Sequence, residues 1–178
     1  MDNFNFYELV KTRQACRDFN DVPLQEEKVY EIAKMARLAP SACNSQPWKM
    51  YCVTSKERVE LVKEALTEGG RNAFIEKAKA FIVVGEKATT LKPDVLKNFS
   101  LDYWVKYDVG ELVAYITLSA KSLGVESIII GWLNKEKLFS AIPFGEGEEC
   151  TLVVALGYSD SPIREKIRRD EKEIIQII

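Results

Sequence analysis

Two stretches of this chain carry residue types from which a binding site could be built. Between Leu38 and Trp48, eleven positions hold Pro40, Ser41, Ala42, Cys43, Asn44, Ser45, Gln46 and Pro47. Each proline removes a backbone donor and drives the residue before it towards extended geometry. The loop is therefore stiff and rich in small groups and amides, which is how a chain presents polar atoms to a flat ligand. The plainer reading is a rigid helix-to-strand connection with Trp48 as a core plug. Upstream, Arg13-Gln14-Ala15-Cys16-Arg17-Asp18-Phe19 sets two guanidiniums four residues apart, and Lys166 and Arg168 stand near the other end of the chain. A phosphate dianion about 4 Å from a guanidinium gains several kcal/mol at an effective dielectric of about 20. A helix terminus alone supplies roughly 0.3–1 kcal/mol, and arginine adds bidentate hydrogen bonding. These cations are candidates to hold a phosphate, against the alternative of two solvated basic surfaces.

The exclusions narrow the chemistry. There is no histidine among the 178 residues, so Ser-His-Asp and Cys-His nucleophile systems and histidine metal centres are ruled out. An enzyme built this way must borrow its chemistry from a cofactor or rely on carboxylates, lysines or tyrosines. No glycine-rich dinucleotide fingerprint or P-loop occurs, and Gly145-Glu146-Gly147-Glu148-Glu149 is too acidic to cradle a phosphate. A formal charge of −2 gives no general attraction to nucleic acid or an anionic membrane. No apolar run approaches a membrane span, and Met1 to Phe6 lacks the pattern of a signal peptide, so the expected location is the cytoplasm. Cys16, Cys43, Cys52 and Cys150 lack metal-ligand spacing and read mostly as small buried hydrophobes.

The elements that must position these residues follow from hydrophobic periodicity. A short helical segment over Phe6 to Arg13 leads into the extended Arg13–Phe19 stretch. A helix starting at Val22-Pro23 runs to Arg37, with Val29, Ile32, Ala33 and Ala36 on one face. A strand is expected at 49–54, a helix at 56–67, a short helical piece at 73–79, and a buried strand at 80–84. Thr89 to Asn98 reads as a surface loop and candidate lid. The longest helix spans Ser100 to Ser122 and ends at Gly124; within it Gly110, Ala114 and Thr117 form a small-residue stripe that predicts close approach of another helix. Strands at 127–130 and 150–156 flank a short helix at 134–140. One domain covering 1–178 is expected, of α/β or α+β class. The tail ends in Ile174, Ile175, Ile177 and Ile178, whose burial is worth about 6–12 kcal/mol at most. It must dock on its own sheet or embrace a second subunit.

Taken in order, these marks resemble the nitroreductase family. Arg13 to Phe19 is similar to the family's R-R-S-x-R-x-F opening, and Pro40-Ser41-Ala42 with Asn44-Ser45-Gln46-Pro47-Trp48 is similar to its P-S-x-x-N-x-Q-P-W loop. Asp108-Val109-Gly110, Leu123-Gly124, Ile130-Gly131 and Leu156-Gly157-Tyr158 with Lys166 and Arg168 resemble its later marks. The resemblance spans nearly the whole chain.

The resemblance implies an α+β fold with a mainly antiparallel sheet flanked by helices, a long central helix, and an intertwined homodimer with a C-terminal arm over about 160–178. It implies FMN as cofactor. Arg13, Gln14, Ala15, Arg17, Lys166 and Arg168 would hold the phosphate and the N1/O2 edge of the ring. Pro40, Ser41, Ala42 and Asn44 would come from the second subunit, and Ile129, Ile130 and Gly131 would lie along the flavin. The implied reaction is ping-pong transfer from NAD(P)H to an electron-poor acceptor such as a nitroaromatic or quinone. The alternative is a flavin-binding protein without NAD(P)H turnover. No catalytic side chain is required, because the flavin N5 carries the chemistry. Two departures stand out: Ala15 replaces the motif serine and removes a hydroxyl contact, and the chain is shorter than many relatives. Arg71 to Phe74 and Lys87 to Tyr103 are lid candidates, with Tyr103, Trp104 and Tyr107 able to stack on a substrate.

Overall fold

The computed structural model describes residues 5–87 and 101–178, with only the helical backbone at 101–103. The candidate lid at Thr89–Asn98 lies outside the described residues. Six helices are described: α1 (Phe6–Thr12), α2 (Glu26–Ala36), α3 (Lys56–Thr67), α4 (Leu101–Ser122), α5 (Lys135–Ala141) and α6 (Glu171–Ile174). Four strands, β1 (Trp48–Val53), β2 (Ala80–Glu86), β3 (Glu126–Ile130) and β4 (Glu149–Gly157), form one sheet in the order β1-β2-β4-β3. Every pairing is antiparallel, so the class is α+β.

Strand alternation explains why the apolar runs of β2 and β4 are nearly continuous. Side chains along a strand point to opposite faces in turn, and both faces are covered here. Phe81, Val83, Val153 and Ala155 pack on one side with Val59, Val62 and Leu66 of α3 and Leu138 of α5. Ile82, Val84, Val154 and Leu156 pack on the other with Val29 and Ile32 of α2 and Val109, Leu112 and Ile116 of α4. The result is helix pairs on both faces of a central sheet.

Several expectations need correction. The second helix begins at Glu26 and not at Pro23, with extended Gln25 as its N-cap; upstream, the Asn20 N–H donates to the Tyr158 carbonyl at 2.8 Å. The helical piece at 73–79 contracts to one 3-10 turn, Ala73–Ile75, entered through left-handed Asn72. Only Cys16 and Cys150 are buried; Cys43 and Cys52 are exposed, Cys52 because it lies on the edge strand β1. The small-residue stripe of α4 is approached by α1 but not at Gly110, where an added Cβ would meet nothing within 4 Å among the described residues. Gly110, Ala114 and Thr117 instead line an open cleft. The tail does not join its own sheet: Ile174, Ile175, Ile177 and Ile178 are all exposed, the last two almost completely.

Candidate functional site

The Arg13–Phe19 stretch is pinned to the free edge of β3. The Cys16 N–H donates to the Ser127 carbonyl at 2.9 Å, and Ala15 forms a parallel bridge to Ser127. Cys16 and Phe19 are buried anchors, and Phe19 lies so close to Gly157 that a Cβ there would stand 2.8 Å from its ring. Arg13 caps the end of α1, its N–H donating to the Leu9 carbonyl at 2.9 Å.

The C-terminal strap runs back across this stretch. The Gln14 side-chain oxygen accepts from the Arg164 N–H at 3.1 Å and from its Nε at 3.2 Å, and Gln14 Nε2 donates to the Pro162 carbonyl at 3.2 Å. Arg164 also donates to the Ala15 carbonyl at 2.6 Å, and Lys166 Nζ donates to the Arg13 carbonyl. The strap lines one shallow depression of about 380 Å³ along its whole length from Arg164 to Arg168, Glu165 included, so that Arg13, Arg164, Lys166 and Arg168 gather around it. Arg13, Lys166 and Arg168 also line the adjoining cleft of about 580 Å³, whose wall is Gly110, Ala114 and Thr117 of α4 together with Ile129 of β3.

Positive charge dominates this site, with four cations against the single carboxylate of Glu165. Among the described residues none of the four cations pairs with a carboxylate. Burial, followed by the like charges of Arg13, Arg168, Arg164 and Lys121, pushes the Lys166 ammonium below its usual pKa. Such a focus of positive charge selects an anion, and phosphate oxygens match the donors present.

The remaining candidates are distributed around this cleft or away from it. Ile129 is half exposed and faces the cleft, whereas the Ile130 side chain is buried in the core and leaves only its backbone to a ligand. Gly131 follows directly, just beyond β3. Arg17 is elsewhere: its guanidinium lies 5.7 Å from the Phe74 ring centre, with Arg71 over Trp132 at 4.8 Å. Trp104 and Tyr107 sit on α4 with ring centres 6.1 Å apart, and the Tyr103 side chain is outside the described residues.

The Pro40–Asn44 loop does not reach the cleft of its own chain. Cys43, Asn44 and Gln46 all have left-handed backbones, with φ of 54°, 54° and 46°. Asp108, buried within α4, holds this shape: its carboxylate accepts from the Ala42 N–H at 2.9 Å and from the Ser45 hydroxyl at 3.4 Å. Ser41 Oγ accepts the Gln46 N–H at 3.0 Å. Trp48 is half buried against the sheet face that carries α2 and α4, consistent with a structural plug.

Comparison with known proteins decides the family. The nitroreductase family model matches residues 10–158. The chain belongs to the nitroreductase family. A protein of Archaeoglobus fulgidus provisionally named NADH dehydrogenase/NAD(P)H nitroreductase is 32% identical over 154 residues, 84% of this chain and 83% of that one. The structure of a nitroreductase with bound FMN from Desulfitobacterium hafniense superposes with a TM-score of 0.74 at 25% identity, covering 97% of each chain. A nitroreductase in complex with FMN from Exiguobacterium sibiricum gives 0.84 at 19% identity, over 100% of this chain and 99% of that one. Membership of this family makes the chain an FMN-dependent oxidoreductase of the nitroreductase type.

Sequence reasoning missed two residues of the site. Arg164 gave no signal, because its partner lies 150 positions away. Asp108 carried one: a carboxylate among Val105, Val109 and Leu112 on a helix must have a partner once buried.

Proposed function

We propose that the full chain, residues 1–178, folds as one unit and acts as a homodimer. In this reading it passes electrons from NAD(P)H to an electron-poor acceptor, a nitroaromatic or a quinone, in a ping-pong sequence through FMN. The observation that carries the reading is the cluster of Arg13, Arg164, Lys166 and Arg168, four cations against the one rim carboxylate of Glu165, beside an open cleft. Its donors and charge fit the FMN phosphate, and a cleft of about 580 Å³ is within the usual range for small-molecule sites. When bound, FMN supplies hydride acceptance and donation, which is why a chain without histidine suffices.

The residues of this chain bind, orient and cover. Arg13, Lys166 and Arg168 hold the phosphate through charge-assisted bonds, and Ile129 offers an apolar surface for the ring. The backbone of Ile130 and Gly131 lies along its edge. Gln14 and Ala15 form the floor from which the strap rises, and Arg17, whose guanidinium lies over Phe74, would reach the ring only by leaving that contact. Pro40, Ser41, Ala42 and Asn44 of a second copy close the site. NAD(P)H and the acceptor then take turns at one cleft.

Support for two copies comes from apolar surface that no described residue covers. Helix α1 has no buried residue, although Phe6, Tyr7 and Val10 are large and apolar. A groove of about 380 Å³ lined by Phe6, Leu9, Met35, Leu38, Tyr115 and Leu118 lies alongside, and the isoleucines of the tail project from the same chain. Contiguous exposed apolar surface of this kind marks an interface.

The test is spectroscopic. Purified protein loaded with FMN is mixed anaerobically with NADH or NADPH, and the yellow absorption should bleach rapidly, then return on adding a nitroaromatic or quinone. A protein that takes up no FMN, or whose bound FMN is untouched by both nicotinamides, would falsify the reading. Sedimentation should give twice the chain mass.

A further inference from the structure

We infer that Gln14 is a positioning residue for the phosphate site, acting by clamping the C-terminal strap and not by touching the cofactor. This rests on the reading of the cation cluster as the FMN phosphate site. The side-chain amide of Gln14 is engaged with the strap through both its oxygen and its nitrogen. Its oxygen takes two N–H groups of Arg164, one from the backbone and one from the guanidinium, and its nitrogen gives to the Pro162 carbonyl. Arg164 completes the clamp by donating to the Ala15 carbonyl. Bracketed in this way, the strap can leave in only one direction, and two and four residues later it delivers Lys166 and Arg168 to the rim that Arg13 already occupies.

The clamp has a physical task. Lys166 and Arg168 repel Arg13 and Arg164, and the pKa of Lys166 is lowered by burial first and by that crowding second. Four like charges on a surface segment would separate in water unless something neutral held the backbone in place. An amide does this without cancelling any charge, which a carboxylate at position 14 would do. Outside the clamp the strap is tied by Lys166 Nζ to the Arg13 carbonyl and by the Ser161 hydroxyl to Asp18, while residues 161–170 contain no regular secondary structure and most are exposed.

The experiment compares FMN with riboflavin, which lacks only the phosphate. The full-length chain, stripped of flavin, is titrated with each by fluorescence quenching, for the native protein and for Gln14→Leu, Arg168→Ala and the double variant. The native protein should prefer FMN by at least 100-fold. Gln14→Leu should weaken FMN binding roughly tenfold while changing riboflavin binding less than twofold. In the Arg168→Ala background the same replacement should cost threefold or less, since the clamp then has less charge to position. Hydrogen exchange over 160–170 should rise in Gln14→Leu, whereas that of the sheet should not. Equal losses for FMN and riboflavin, or full additivity with Arg168→Ala, overturn the clamp. A native protein that binds both flavins equally overturns the phosphate reading itself, and the clamp with it.

Discussion

Replacing Asp108 with alanine should release the Ser41–Gln46 loop, and the size of the effect can be worked out from its contacts. Three residues of this loop, Cys43, Asn44 and Gln46, sit in left-handed backbone without being glycine. Each costs at least about 1 kcal/mol, so the loop holds about 3 kcal/mol of unfavourable backbone energy. The contact with Asp108 at 2.9 Å is a hydrogen bond to a charged group, worth about 1.5–3 kcal/mol. The Ser45 contact at 3.4 Å is at the outer limit of geometry and adds little. Asp108→Ala should therefore destabilise the protein by about 2–3 kcal/mol, since it also leaves the Ala42 N–H without its acceptor. For a chain of this length that is a fall of roughly 5–10 °C in Tm.

Hydrogen exchange separates this from an ordinary core defect. The amides of Ala42, Asn44 and Ser45 should lose protection by roughly 30- to 150-fold, the factor equivalent to 2–3 kcal/mol. Those of β2 and β4 should change only as the global stability does. Asp108→Asn keeps an oxygen for the Ala42 N–H and should cost about 1 kcal/mol or less. If Asp108→Ala left the loop amides as protected as in the native protein, the carboxylate would not be what holds the loop. Equal losses in the alanine and asparagine variants would show that charge, and not the accepted hydrogen bond, matters.

Two further outcomes follow from buried groups away from the cleft. Burial pushes the Glu148 carboxyl up, but the Tyr51 hydroxyl, the Gly145 N–H and Lys87 outweigh it and hold the pKa below its ordinary 4.5. A carboxyl held low stabilises the fold above its unfolded pKa, and that contribution is lost as pH falls through the folded value. Tyr51→Phe should thus cost about 1.5–3 kcal/mol near pH 7 by denaturant titration, the deficit narrowing below pH of about 4; a deficit that widens in acid would contradict this. Thiol labelling should reach Cys43 first, because it is exposed on the loop, and spare Cys16 and Cys150 until unfolding. Burial raises Cys16, and burial together with Glu86 pushes Cys150 up to about 12. Native-state labelling of Cys150 as fast as Cys43 would refute the placement.

Local pattern was enough for elements whose partners did not matter. The helix over 56–67 has the expected bounds, because Val59, Val62 and Leu66 repeat on one face and two glycines follow it. Strand β2 was legible as buried because its apolar run has no polar face to offer. Pattern failed where an outcome depended on distant chain. Pro23 is an acceptable first helical residue, yet residues 20–25 stay outside the helix, with Asn20 tied to Tyr158, 138 positions away. The same limit applies to the site. The residues of Arg13 to Arg17 could be picked out by type, but nothing local says that the Gln14 amide is taken up by Pro162 and Arg164 while Arg17 turns towards Phe74.

Helix α4 brings these threads together, and it gives the glycine of its small-residue stripe a purpose. A mid-helix glycine costs about 1 kcal/mol against alanine, and among the described residues nothing packs on Gly110 to compensate. The gain is room: Gly110, Ala114 and Thr117 leave the wall of the cation-lined cleft flat. Two residues before that glycine, Asp108 holds the loop that does not reach its own cleft. In the proposed dimer the loop serves the other copy, so one helix shapes the wall of one site and fixes the cover of the second. Loss of Asp108 should then speed flavin release from a site whose own cations are intact. A mixed dimer carrying Asp108→Ala in one copy and Arg168→Ala in the other would put both defects into one site and leave the other native. Such dimers should retain one tightly held FMN per pair. Two weakly held flavins would mean that each loop covers the cleft of its own chain.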